Sequence, residues 1–144
     1  MERELKKWIS ALRNVDEIFR GMVLENETEI IDANTSQLEM GKDSLGEFLQ
    51  EYASEVYYNF KKAYTGIKTP NMIPDLYLEG DFYEGFVLKN FGANEFFITS
   101  TDEKKDELKA KYGENIFGVA DEQLEILKPQ LIASFTRLFR AATN

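Results

Sequence analysis

Leu5, Trp8, Ile9, Leu12, Val15, Phe19 and Val23 return every three or four residues, with Lys6, Lys7, Arg13 and Asp16 between them. That spacing gathers apolar side chains on one face of an α-helix, and it predicts a single amphipathic helix over residues 2 to 24, closing near Glu25 and Asn26. The next run, ETEIIDANTS, reads as a short β-prone segment at Ile30 and Ile31 followed by polar turn formers. Gly41 to Leu49, GKDSLGEFL, reads as a loop, because two glycines bracket Asp43 and Ser44, whose side chains bond the backbone of a turn. Helical spacing resumes from Phe48 to Tyr64, with Leu49, Tyr52, Val56, Phe60 and Tyr64 on one face and Tyr57 beside them. The tyrosines are amphipathic, so this face suits partial hydration or a partner.

Thr65 to Pro74, TGIKTPNMIP, holds two of the three prolines and reads as a long exposed loop. Leu76 to Leu78, Phe86 to Phe91 and Glu95 to Thr101 read as strands, the last two forming a hairpin across Gly92 to Asn94. Ser100 with Glu103 three residues on is a capping-box pattern for a short charged helix through Lys111, which Gly113 stops. After the apolar NIFGV, Asp121 is placed to cap a final helix carrying Leu124, Leu127, Leu131, Phe135, Leu138 and Phe139, with a kink or restart at Pro129. The layout is α+β in one domain: an N-terminal amphipathic helix (1–24), a β-rich middle with one helix and a small antiparallel sheet with a hairpin (25–101), and C-terminal helices packed on the sheet (102–144).

Composition narrows the chemistry. A chain of 144 residues, 43% hydrophobic, can bury a core of its own. It has no cysteine and no histidine, which removes disulfides, thiolate nucleophiles, imidazole bases, zinc and haem ligation. Any reaction would run on carboxylates, lysine, tyrosine, serine or threonine, and no cofactor is expected. No apolar run approaches the roughly 20 residues of a membrane span, and the charged N-terminus is unlike a signal peptide. Synthesis in the cytoplasm and no membrane partner are the expectations. The net charge of −9 is uneven: residues 21 to 60 hold nine acids against Lys42 alone. Such a field repels phosphates and argues against sequence-specific nucleic-acid binding. It suits a solvated surface or a basic partner.

Three stretches invite a chemical reading. IPDLYLEGDFYEGF carries Asp75, Glu79, Asp81 and Glu84, and two such carboxylates can supply the acid and base of glycoside hydrolysis. A strand at Leu76–Leu78 would leave Glu79 and Asp81 at its wet exit, both ionised, so a turn is the preferred reading. In that turn Gly80 supplies the bend, Asp81 bonds the following amides, Phe82 and Phe86 enter the core, and Tyr83 and Glu84 face out. DANTSQLEMGKD places Asp32, Asn34 and Ser36 at alternate positions of a calcium loop, but Gln37 stands where the loop needs glycine and Asp43 where it needs glutamate. A polar loop is preferred. Tyr77, Phe82, Tyr83, Phe86, Phe91, Phe96 and Phe97 could stack on bases, but with Lys89 the only cation among them, core packing is preferred.

Three pieces in fixed order, IIDANTSQLEMGKDSLGEFLQEY, LYLEGDFYEGFVL and DEKKDELKAKYGENIFGVADEQL, resemble a family of small proteins from the structural modules of tailed phages and prophages. The matching residues are Gln37, Gly41, Asp43, Gly46 and Tyr52, then Leu78, Gly80, Asp81 and Phe82, then Tyr112, Gly113, Ile116, Phe117 and Gly118. The order of elements is also similar to virion morphogenesis and tail-completion proteins, although ASEVYYNFKKAY replaces the lysine-rich stretch usual after the tyrosine. The resemblance implies a non-enzymatic virion protein, present as a homo-oligomeric ring at the head–tail junction, that docks on portal, adaptor or tail proteins and lets DNA pass. Asp43, Tyr52, Tyr57 and Tyr83 are the expected subunit contacts, and Gly46, Gly80, Asp81, Gly113 and Gly118 the expected turn-forming residues. The acidic segment would meet basic patches at Arg3, Lys6 and Lys7 or at Lys61 and Lys62 of a neighbour. The alternative is a soluble acidic protein that binds a basic phage or host protein as a DNA mimic. A carboxylate hydrolase is a third class, and it requires one raised pKa among Glu79, Asp81 and Glu84 in a cleft.

Overall fold

The N-terminal apolar repeat breaks at Asn14. Where one helix was expected, the computed structural model, which describes residues 1–77, 80–90, 92 and 94–144 with the backbone alone at Asp81, has α1 (Glu2–Arg13) and α2 (Val15–Glu25). Asn14, at φ −101° and ψ 19°, still donates its amide to Ser10 and Ala11 and accepts from Ile18, so the chain bends without losing its ladder. The bend turns Ile18, Met22 and Val23 inward on α2, whereas α1 buries Ala11 alone. Asn26 repeats the geometry, and its side chain donates to Met22 O at 2.8 Å and Ser134 Oγ at 2.9 Å.

The segment expected to be a β-prone run and a polar loop is a third helix, α3 (Glu27–Glu39). The β preference of Ile30 and Ile31 is worth only tenths of a kcal/mol against helix. Packing overrides it, because Ala33, Asn34, Gln37 and Leu38 fall on one face and are all buried. The helix also removes the calcium-loop reading: alternate positions such as Asp32, Asn34 and Ser36 diverge around a helix and cannot converge on an ion.

Gly41 to Leu49 is a loop as expected, closed by a bridge between Lys42 and Phe48 and by Leu49 N donating to Gly41 O at 2.8 Å. Those bonds, with Tyr52 N donating to Met72 O at 2.8 Å, keep Phe48 to Ser54 out of the helix expected there. Helix α4 (Glu55–Thr65) starts only where Ser54 Oγ accepts from Tyr57 N. The following loop is packed rather than exposed, with Ile67, Thr69, Ile73 and Pro74 buried. Leu76, expected in a strand, is instead at φ 60°, and Leu78 lies outside the described residues. One turn of helix, α5 (Asp81–Glu84), leads into β1 (Phe86–Asn90), which pairs antiparallel with β2 (Phe96–Ser100) in the register Phe86↔Ser100 and Leu88↔Ile98. The hairpin is as expected, but it is the only sheet among the described residues. The middle, expected to be β-rich with one helix, is mostly helix and loop.

Helix α6 (Lys105–Tyr112) ends at Gly113, as the sequence predicts. Its start differs: Ser100 belongs to β2, its Oγ accepts from Asp102 N, and Asp102 Oδ1 accepts from Lys104 N. A 3-10 turn (Glu114–Ile116) precedes α7 (Asp121–Thr143). Ala120 occupies the cap position, so Asp121 acts in the first turn, where the helix dipole favours an anion. Helix α7 runs on past Pro129 without a restart. Helices α1, α2 and α3 pack along α7, and α3 also touches β1. The fold is α+β. Its core joins Leu38, Leu49, Leu76, Phe82, Phe86, Ile98 and Ile116, with Phe117 against both core phenylalanines at ring distances of 5.9 and 5.4 Å.

Two buried amides lock α3 to the segment before α7. Asn34 donates to Ile116 O at 3.0 Å and accepts from Gly118 N at 2.8 Å, while Gln37 donates to Gly118 O at 2.6 Å and accepts from Ala120 N at 3.0 Å. Asn34→Ala strands a carbonyl and an amide, each at about 1–3 kcal/mol. A loss of about 2–5 kcal/mol in urea unfolding is expected, and a change below about 1 kcal/mol would show that the clamp is not a principal support.

Candidate functional site

Tyr58 and Lys61, one helical turn apart, form the inner face of α4. Lys61 is 3% exposed and Asp75 7% exposed, so both charges have left water and must satisfy each other. Lys61 Nζ lies 2.7 Å from Asp75 Oδ1, donates to the Tyr52 hydroxyl at 2.8 Å and stands 5.5 Å from the centre of that ring. Asp75 Oδ1 also accepts from Tyr77 N at 3.0 Å, a local turn that helps hold Leu76 in its left-handed conformation. The Tyr83 hydroxyl donates to the Asp75 backbone carbonyl. Burial, and then the Asp75 carboxylate, push the Tyr52 and Tyr83 phenols above their ordinary value. The cluster is a cross-link between α4, the loop that follows it and α5.

That assignment settles one of the four carboxylates of IPDLYLEGDFYEGF. Asp75 is committed to Lys61, Glu84 is exposed on α5, and Glu79 and the Asp81 side chain lie outside the described residues. A cavity of about 360 Å³ opens beside the cluster, lined by Tyr52, Tyr57, Lys61, Tyr77, Lys111 and Tyr112 among others. Among the described residues no group of three acids is placed to hold a metal ion.

Outside the cluster three regions of the surface are apolar. On α4, Val56 is 81% exposed, and the Tyr57, Phe60 and Tyr64 rings form a row with Phe60 and Tyr64 stacked at 5.8 Å. On α1, Leu5, Trp8, Ile9 and Leu12 are exposed although their spacing predicted a buried face. A third apolar region is an open groove of about 570 Å³ between α2, α7 and the hairpin, lined by Phe19, Val23, Leu88, Phe96, Leu124 and Leu131 among others. Single exposed apolar residues are ordinary, but contiguous rows mark contact surfaces.

The expected contact residues separate. Tyr57 has an exposed ring on α4, whereas Asp43 is half-buried with Oδ1 accepting from Leu45 N and Glu47 N of its own turn. Tyr52 and Tyr83 are half-buried in the Asp75 cluster, so Tyr83 does not face out as expected, while Phe82 and Phe86 are buried and Glu84 is exposed. Gly46, Gly80, Gly113 and Gly118 all have φ between 79° and 125°. Gly118 needs its missing side chain most, since a Cβ there would stand 2.9 Å from the Ser44 Cβ. Lys61, expected in a surface basic patch, is withdrawn into the interior, leaving Lys62 exposed. The Lys61–Asp75 pair was missed because Lys61 reads as surface until its partner, 14 residues on, is known.

Lys61→Met leaves Asp75 buried without its counter-charge and is expected to cost about 3–5 kcal/mol. The Lys61→Met/Asp75→Leu double variant should recover much of that loss in urea unfolding, and equal losses would argue against the pair. The raised phenols predict alkaline sensitivity with a definite sign. Below the ordinary tyrosine value of 10.0 both states are protonated; above it the unfolded chain ionises first, so stability falls as pH rises. Tyr52→Phe should flatten this decline between about pH 9 and pH 11, read from urea midpoints, and an unchanged slope would count against a shifted Tyr52.

Comparison with protein-family models, curated proteins and solved structures finds no match for this chain.

Proposed function

We propose that this chain is a non-enzymatic structural subunit that assembles with copies of itself, and that its place is the head–tail junction of a tailed-phage virion, as a ring around the DNA conduit. The observation that carries the assembly reading is the apolar surface left open in three regions, on α1, on α4 and in the groove between α2, α7 and the hairpin. Such surface favours a covered state by about 25 cal/mol for each Å² removed from water. Several separate regions suit a ring, in which each copy meets its two neighbours through different surfaces.

The buried polar groups support a structural role. Lys61, Asp75, Tyr52 and Tyr83 satisfy one another, an arrangement that fixes geometry rather than presenting a base or nucleophile to a substrate. On this reading Tyr57 makes the contact on the α4 face, while Tyr52 and Tyr83 hold that face in place from behind. The placement in a virion comes from the likeness of the three sequence pieces to phage structural-module proteins.

Mass spectrometry of purified particles is expected to find the chain at a fixed low ratio to the major capsid protein, and a deletion strain is expected to accumulate tailless heads. Its absence from particles, with infection still productive, would overturn the virion placement and favour an acidic protein that binds a basic partner.

A further inference from the structure

We infer that the groove between α2, α7 and the hairpin receives helix α1 of a second copy, an interface that rests on the assembly reading and specifies it. The two surfaces match in form. Leu5, Ile9 and Leu12 recur at the spacing by which a helix anchors itself in an apolar groove. All three are exposed in their own chain, where α1 is held through Ala11 and through the Trp8 ring, 5.1 Å from Phe139. The groove is open, lined mainly by aliphatic and aromatic side chains, and its volume of about 570 Å³ accommodates several of them.

Charge matches as well. Lys6 and Arg13, seven residues apart, flank the apolar row of α1, and among the described residues neither has an ion-pair partner. The charged residues that line the groove, Lys109 and Glu114, pair with each other at 3.7 Å, while Glu27 and Asp121 each precede a lining residue, Ile30 and Leu124, by three positions and so share its helix face, and Glu95 precedes Phe96. None of Glu27, Asp121 and Glu95 is ion-paired among the described residues either.

Because a helix row on one copy enters a groove on the next, the contact is heterologous, and it propagates until rotation closes a ring. The natural chain lacks cysteine, so introduced thiols report proximity without background. Ile9→Cys and Leu124→Cys, both at exposed positions, are expected to give a mixed disulfide dimer when combined and oxidised, with the two substituted peptides joined in the mass spectrum. Each variant alone should give none, and the double variant should give a ladder of covalent oligomers. Leu5→Asp/Leu12→Asp should abolish the mixed disulfide and reduce oligomer size in sedimentation while leaving the circular dichroism unchanged. Disulfides only between like variants, or oligomers that never yield the mixed disulfide, would overturn this interface and leave self-assembly standing. A chain that stays monomeric at every concentration and forms no disulfide would overturn both.

Discussion

The two amides of α3 are the constraint on which the rest of the molecule depends. Asn34 and Gln37 each use both ends of the side chain, one to accept and one to donate, on a backbone segment more than 80 residues away. Neither side chain has access to water, so each of these hydrogen bonds replaces a hydration that folding removes. The clamp fixes where α7 begins relative to α3. From there the packing of α1 and α2 along α7, and of α3 against β1, follows.

A second polar device secures the other side. Helix α4 packs little against the other helices and strands, so its position depends on Tyr58, on Lys61 and on the loop that follows. The buried ion pair is useful there for its specificity more than for net stabilisation, since removing two charges from water offsets most of their attraction. With Lys61 committed inward, the outward face of α4 is left to Val56, Tyr57, Phe60 and Tyr64. One contact thus sets both the seat of the helix and the chemistry of its exposed side.

What could be read from the sequence was whatever depended on near neighbours. The hairpin, the stop of α6 at Gly113 and the apolar row of α7 are local patterns, and the structure has them. Helix α3 could not be read this way. Ile30 and Ile31 spoke for strand, and Asn34 and Gln37 looked like loop residues because their partners lie at Ile116, Gly118 and Ala120. Polar residues carry no local mark of burial. For the same reason Tyr52 and Tyr83 read as surface contacts, while the ion pair that holds them stayed hidden. Asn14 and Asn26 show a subtler limit, since an apolar repeat that crosses them unbroken does not reveal that the axis bends there.

Amphipathicity on its own states that a helix has a face to cover, not that its own chain covers it. The repeat through Leu5, Trp8, Ile9 and Leu12 is as regular as that of any core helix, yet the bend at Asn14 points most of it outward and leaves Ala11 as the only buried residue. A helix free to rotate about its axis would turn those side chains toward the nearest apolar surface. Rotation is opposed by Trp8 against Phe139 and by the amide of Asn14 bonded to Ser10 and Ala11. The orientation of α1 is therefore built into the chain's own packing, and that packing leaves its apolar row uncovered.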